Sequence, residues 1–77
     1  MLNEVVAYIV KSLVEDVHDV EITETQRENG KWFIGIKISE RDLGKVIGRN
    51  GRTIKAIRSL VHAINTTSKE IIIHIAS

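Results

Sequence analysis

The sequence predicts an α+β fold in the element order α-β-β-α-α-β, with a three-stranded mixed sheet and three helices on one face. Three observations predict it: a helical apolar repeat near the N-terminus, two alternating segments around Asn29-Gly30, and two further helical segments before a final apolar strand. The 77 residues suffice for one small globule, so residues 1–77 are predicted to form a single domain.

Composition excludes several classes of protein. Hydrophobic residues make up 43% of the chain and charged residues 27%, which is typical of a soluble globule. The chain has no cysteine, so disulfides, thiolate chemistry and cysteine-based zinc sites are excluded. Glu4 lies where a signal peptide carries basic residues, and no apolar run approaches the roughly 18 residues of a membrane span. We therefore expect a cytoplasmic protein with no membrane partner.

The first predicted element is an amphipathic helix from residue 3 to about residue 16, with Asn3 as its N-cap. Apolar side chains recur there at spacings of three and four: Leu2, Val5, Val6, Ile9, Val10, Leu13 and Val17. Many of them are β-branched, so this helix is expected to depend on packing against the rest of the fold.

A β-hairpin follows, with strands predicted over residues 20–25 and 32–38. A two-residue Asn29-Gly30 loop would put the apolar side chains of the two strands on opposite faces. A three-residue loop over 28–30 brings them to one face, with Gly30 in the left-handed conformation of a bulge. We predict the three-residue loop, and with it these pairs: Ile22 with Ile36 and Val20 with Ile38. The adjacent aromatics Trp32 and Phe33 then face opposite ways, one toward the core.

The second half begins with a short helix over 40–47, for which Ser39 and Asp42 form a variant capping box. Two glycines interrupt it, and a longer helix runs to about Asn65, with these residues on its apolar face: Ile54, Ile57, Leu60, Val61 and Ile64. The final strand is predicted over 69–75. A right-handed crossover through two helices makes this strand parallel to 32–38, which becomes the central strand.

The charges are unevenly distributed although the net charge is only +1. Residues 1–38 hold four Lys/Arg and seven Asp/Glu, whereas residues 39–77 hold seven and three. Between Arg41 and Arg58 six cations accompany a single anion, Asp42. A basic stretch on an otherwise neutral protein indicates a local site for an anion.

The most informative stretch is residues 46–57, which contains Gly48 and Gly51 between two predicted helices. Glycines allow a sharp turn and let another chain approach the backbone closely. The second helix begins here, so its first amide groups and positive dipole end face outward, among the cations Arg49, Arg52 and Lys55. A phosphate backbone is a natural ligand for such a site.

These residues also form the frame Val-Ile-Gly-x-x-Gly-x-x-Ile-x-x-Ile, matched at Val46, Ile47, Gly48, Gly51, Ile54 and Ile57. The frame resembles that of the KH domain, and the element order resembles its bacterial, type II arrangement. Over its whole length the chain is similar to the small bacterial stand-alone KH proteins of the KhpA family. The lead-in from Asp42 to Gly48 and the segment Ala56-Ile57-Arg58 add to this similarity.

The resemblance implies binding of single-stranded RNA, whose backbone a KH loop clamps over about four nucleotides. It implies that Gly48 and Gly51 permit close approach and that Arg49 and Asn50 face the RNA backbone. It also implies a narrow aliphatic groove beside the loop, in which the bases lie. The remaining candidates are assigned to the wall and rim of this groove: Lys45, Ile47, Arg52, Ile54, Lys55 and Arg58. No cofactor is implied. The implied role is that of a post-transcriptional regulator or RNA chaperone, acting as a homodimer or with a larger KH-containing protein of the Jag type.

Other function classes are weighed against this reading. A helix-turn-helix DNA reader would insert the helix after the loop into a major groove, but its turn usually carries one glycine and it lacks a hairpin. A KH fold that serves only protein interaction would be expected to carry acidic residues at the positions of Arg49 and Asn50. No nucleophile–base pair is present, and the three histidines have no metal-ligand spacing, so we predict neither an enzyme nor a metal site.

Overall fold

A computed structural model of the chain describes residues 2–27, 30–65 and 70–77. Its helices and strands run in the predicted order: α1 (Leu2–Leu13), β1 (Glu21–Gln26), β2 (Trp32–Lys37), α2 (Leu43–Ile47), α3 (Arg52–Ile64) and β3 (Ile71–Ala76). Short 3₁₀ turns precede β1, α2 and α3, at Val17–Asp19, Glu40–Asp42 and Arg49–Gly51. The predicted α+β fold class and element order are confirmed. None of the helices in the described parts is long and apolar enough to cross a membrane.

The sheet has the strand order β1-β2-β3, antiparallel between β1 and β2 and parallel between β2 and β3, as predicted. Ile22 pairs with Ile36, so the hairpin has the predicted register. Gly30 has a left-handed φ of +83°, and the Arg27 N–H donates to the Lys31 carbonyl at 2.8 Å. Both observations fit a three-residue loop, of which residues 28 and 29 lie outside the described parts. The expected Val20–Ile38 pair lies one step beyond the ends of β1 and β2.

The core forms between one face of the sheet and the helices. Ile34 and Ile36 of the central strand are almost completely buried. They belong to one cluster with apolar side chains from all three helices and from β3: Val6, Val10, Val46, Ile54, Ile57, Val61, Ile71 and Ile73. Trp32 packs against the edge of this cluster, whereas Phe33 lies on the opposite sheet face with Arg27 above its ring. The helices therefore leave the second face of the sheet uncovered among the described residues.

Several predicted boundaries were wrong. α1 ends at Leu13, three residues earlier than predicted, and includes Asn3, which is therefore not its N-cap. β3 begins at Ile71, and the predicted start at 69 lies outside the described residues. Leu60 and Ile64 remain 51% and 43% exposed, whereas the other members of the predicted apolar face, Ile54, Ile57 and Val61, are buried.

Asp42 explains why α1 ends early. Its fully buried carboxylate accepts hydrogen bonds from the backbone N–H groups of Glu15 and Asp16, at 3.1 and 3.0 Å, so the chain leaves the helix there. The predicted capping box is wrong, because Ser39 makes no side-chain capping bond and Asp42 is engaged with this distant segment. The hydrogen bonds of Asp42 thus hold the segment that follows α1 against the start of α2.

The Asp42 contact predicts acid-sensitive stability. The hydrogen bond from the Glu15 N–H holds the pKa of Asp42 below its ordinary 3.8. The Asp16 N–H and the nearby cations also lower this pKa, whereas burial raises it. The Lys45 ammonium holds the pKa of Glu15 below its ordinary 4.5. A lowered folded-state pKa contributes stability above the unfolded-state value, and this contribution is lost as pH falls through the folded-state value. We therefore expect thermal stability to fall below about pH 4.

A substitution at Asp42 distinguishes its contribution to stability from that of the other carboxylates. Asp42→Asn should lower the unfolding midpoint at pH 7 by about 10 °C, because one buried acceptor becomes an amide donor facing N–H groups. The matched control is Asp16→Asn, which removes only the surface ion pair to Arg41 (2.8 Å) and should shift the midpoint by at most a few degrees. Thermal circular dichroism at pH 7 and pH 3 checks both. Equal unfolding midpoints for Asp42→Asn and the unmodified protein would show that the Asp42 hydrogen bonds do not stabilise the fold.

Candidate nucleic-acid interface

The loop between α2 and α3 has an unusual backbone. Gly48 has φ +78° and ψ +168°, Asn50 has φ +58°, and Gly51 has φ +74°. The Gly48 N–H donates to the Gly44 carbonyl at 2.9 Å and ends α2, and the Gly51 N–H donates to the Gly48 carbonyl at 3.1 Å. These bonds hold a tight turn that immediately precedes α3. The predicted helix break at residues 48–51 is therefore found in the structure.

The two glycines are required for different reasons. A Cβ at Gly48 would overlap the Thr53 side chain and lie 2.8 Å from the Thr53 backbone nitrogen, so the first turn of α3 packs directly against this glycine. A Cβ at Gly51 would meet nothing closer than Ile54 Cγ2 at 4.0 Å, so only its left-handed conformation favours glycine. The loop is consequently thin, with its backbone open to a ligand at Gly51.

The start of α3 carries the anion-attracting groups. No side-chain cap forms at Gly51, and the first amide of α3, the Arg52 N–H, donates to the Arg49 carbonyl of the preceding turn. Arg49, Asn50, Arg52 and Lys55 are exposed around this point, and none forms an ion pair within the described parts of the chain. The positive end of the α3 dipole and three cations thus meet at one exposed turn.

Two of the ten predicted site residues contact other parts of the chain. Lys45 Nζ lies 2.6 Å from Glu15 Oε1 and 3.8 Å from Asp42 Oδ1, so its ammonium contacts the end of α1. Arg58 Nη2 donates to the Ile73 carbonyl at 3.3 Å, so its guanidinium lies at the edge of β3. Arg41, left out of the predicted site, forms ion pairs with Glu15 and Asp16.

The two predicted aliphatic residues differ in exposure. Ile54 is only 6% exposed and belongs to the core cluster. Ile47 is half-buried at the end of α2, directly before the loop, and retains exposed surface. Ile47 is therefore the aliphatic side chain available beside the turn, and Ile54 supports it from the core.

Sequence reasoning missed one feature, the unpaired edge of β3. The carbonyls of Ile71 and Ile73 point away from β2, toward α3, where they meet His62 Nε2 (3.3 Å) and Arg58. Arg58 and His62 are four residues apart on α3, a spacing that puts both on one helix face and could have revealed the contact. We call the surface formed by residues 48–52, Lys55, Arg58, His62 and this strand edge the loop–edge surface.

A three-stranded mixed sheet with helices on one face, and a Gly-x-x-Gly turn between its second and third helices, define a KH domain of the type II arrangement. The chain belongs to the KhpA/KhpB KH-domain family, whose family model matches residues 3–75. The predicted family is thereby confirmed, and the prediction that the chain is not an enzyme agrees with it. Among the described residues, no group of three or more His, Asp or Glu side chains could hold a metal ion.

Curated relatives carry the same family name. The chain is 41% identical over 64 residues to the RNA-binding protein KhpA of Streptomyces coelicolor, covering 83% of this chain and 80% of that protein. It is 44% identical over 62 residues to the RNA-binding protein KhpA of Clostridium perfringens, covering 80% and 81%. It is 41% identical over 63 residues to that of Chlamydia trachomatis, covering 82% and 80%. No solved structure matches the chain significantly.

Proposed function

We propose that this protein binds single-stranded RNA on the loop–edge surface. The observation that carries the proposal is the thin turn at residues 48–51, which places the N-terminus of α3 beside the uncommitted cations Arg49, Arg52 and Lys55. The relatives named RNA-binding protein KhpA support it. In this reading the RNA backbone lies against Gly48 and Gly51, and Arg49 and Asn50 contact its phosphates.

The bases would then lie along α3 toward the edge of β3. Ile47 offers an aliphatic contact and Ile54 supports the wall from the core, while Arg52 and Lys55 form the rim. Arg58 is held at the strand edge, where it can meet a base or a phosphate. The Lys45 ammonium is already paired with Glu15, so we propose that Lys45 contributes least to RNA binding.

Contact with three or four phosphates gives a salt slope of about −2 to −3 in log K against log salt concentration. One small groove without stacking aromatics gives an affinity of about −8 kcal/mol or weaker, which is micromolar. Useful affinity therefore requires a second binding unit linked to the first.

We propose that this second unit is another KH domain, in a homodimer or a complex with a larger protein of the Jag type. Exposed apolar side chains of α3 offer surface for such contact: Leu60 and Ile64. A post-transcriptional regulator or RNA chaperone in the cytoplasm would follow from this arrangement.

Competition between nucleic acids tests the proposal. A labelled single-stranded RNA of about twelve nucleotides is bound to the protein, and unlabelled single-stranded RNA, single-stranded DNA and duplex DNA of equal length are added separately. Single-stranded RNA should displace the label at the lowest concentration, and duplex DNA should require at least about tenfold more. Stronger displacement by duplex DNA would favour helix-turn-helix-like recognition instead. No binding of the labelled RNA would leave protein interaction as the function of the fold.

A further inference from the structure

The uncovered face of the sheet carries a hollow that the loop–edge surface does not include. Its outward side chains form three rows across β1, β2 and β3: Thr25, Phe33 and Ile72; Thr23, Gly35 and His74; Glu21, Lys37 and Ala76. Gly35 occupies the centre of this grid and has no side chain, and the Thr23 hydroxyl lies over it, 2.7 Å from the position that a Cβ would take. The resulting hollow has a volume of about 290 Å³, close to the lower end of the range for small-ligand sites.

Two rings flank the hollow. The Phe33 and His74 rings lie 6.0 Å apart between centroids, at an interplanar angle of 31°. The Arg27 guanidinium carbon lies 4.8 Å from the Phe33 centroid, over the ring. Phe33 does not belong to the core cluster, and its half-buried ring lies on the sheet face that the helices leave uncovered.

The hollow and the loop–edge surface lie on two sides of the same strand, β3. Ile73 and His74 are consecutive residues of β3: the Ile73 carbonyl meets Arg58 at the strand edge, and the His74 side chain faces the hollow. Neighbouring strands lie about 5 Å apart, so Phe33 on β2 is only one strand away from the edge. An RNA chain leaving the loop–edge surface past Arg58 would need only to turn around β3 to reach the two rings.

We propose that the hollow at Gly35 is a second RNA contact, in which a nucleobase lies beside the Thr23 hydroxyl and against the rings of Phe33 and His74. This inference rests on the proposed function. Flat rings and a guanidinium plane are the surfaces on which proteins stack unpaired bases. The charge of the face agrees. Lys31 and Glu70 pair at 3.2 Å and cancel each other, and the remaining described charges around the hollow are Arg27 and Lys37 against Glu21.

RNA length provides the test. A randomised four-nucleotide RNA can fill only the loop–edge surface, whereas one of about twelve nucleotides can reach both sites. Phe33→Leu should leave the affinity for the short RNA unchanged and weaken binding of the long RNA about tenfold, because it removes the ring and keeps an apolar side chain. Phe33→Trp should retain the affinity for the long RNA. His74→Leu, at an exposed position, should weaken it in the same selective way.

The matched control is Tyr8→Leu, which removes an aromatic side chain that is 76% exposed on α1, away from the hollow. It should change neither affinity. Unchanged long-RNA binding by both Phe33→Leu and His74→Leu, each folded by circular dichroism, would overturn the second contact and leave the face to a protein partner. Equal loss for short and long RNA would also overturn it. Failure of the unmodified protein to bind either RNA would instead overturn the proposed function itself.

Discussion

Replacing Arg49 and Asn50 together by aspartate is expected to abolish RNA binding and leave the fold intact. Both side chains are exposed at the tip of the loop, and neither forms an ion pair in the described parts of the chain. Asn50 has φ +58°, a left-handed conformation that aspartate also tolerates, so the backbone should keep its course.

The loss of affinity should be at least about a hundredfold, because a charge-assisted hydrogen bond disappears and two carboxylates face the phosphates. Fluorescence anisotropy with single-stranded RNA measures it, and circular dichroism shows whether the fold is kept. Lys11→Asp is the control, since it reverses a charge on α1 away from the loop and should act only through screened, long-range attraction. Retained affinity in the double variant would refute the assignment of the loop.

Gly48→Ala should be far more destabilising than Gly51→Ala. Gly48 has a backbone conformation that is essentially restricted to glycine, and a methyl group there would lie 2.8 Å from the Thr53 nitrogen and Cβ. Strain and overlap together should lower the free energy of unfolding by about 3 kcal/mol or more. Such a loss is a large part of the stability of a small domain.

Gly51→Ala is the matched comparison in the same loop. Its φ of +74° costs a non-glycine residue about 1–2 kcal/mol, and the nearest atom to the added methyl group, Ile54 Cγ2, is 4.0 Å away. Urea unfolding of the two variants measures the difference. Equal losses of stability would show that the contact between Gly48 and the first turn of α3 is not what constrains the loop.

Local patterns predicted much of this fold because local chemistry determines those parts. The hairpin register followed from the requirement that Ile22 and Ile36 share one face, and Gly30 supplied the positive φ that this register needs. The Gly48-to-Gly51 turn was predictable because two glycines interrupt an otherwise helical pattern. Each of these features depends on residues close together in the sequence.

The features that were missed depend on contacts between distant residues. α1 ends at Leu13 because Asp42, 26 and 27 residues from its two donors, accepts their backbone hydrogen bonds. No local pattern contains that information. The ion pair between Lys45 and Glu15 was likewise not predicted, because it joins residues that lie 30 positions apart in the chain.

The contacts at the edge of β3 also depend on residues that are distant in the sequence. Its position beside α3 depends on the crossover geometry, and the spacing of Arg58 and His62 indicates only that they share a helix face. The placement of Phe33 on the open sheet face follows from alternation with Trp32, whereas the choice of which ring enters the core depends on the helices that cover the sheet.

An NMR titration of the isotope-labelled protein with a short single-stranded oligoribonucleotide tests the RNA site most directly. Backbone amide signals of residues 48–51 and of Arg52 should shift first and furthest, and in the double aspartate variant the same RNA should move none of them. Shifts confined to other regions, with these five amide signals unmoved, would contradict the account.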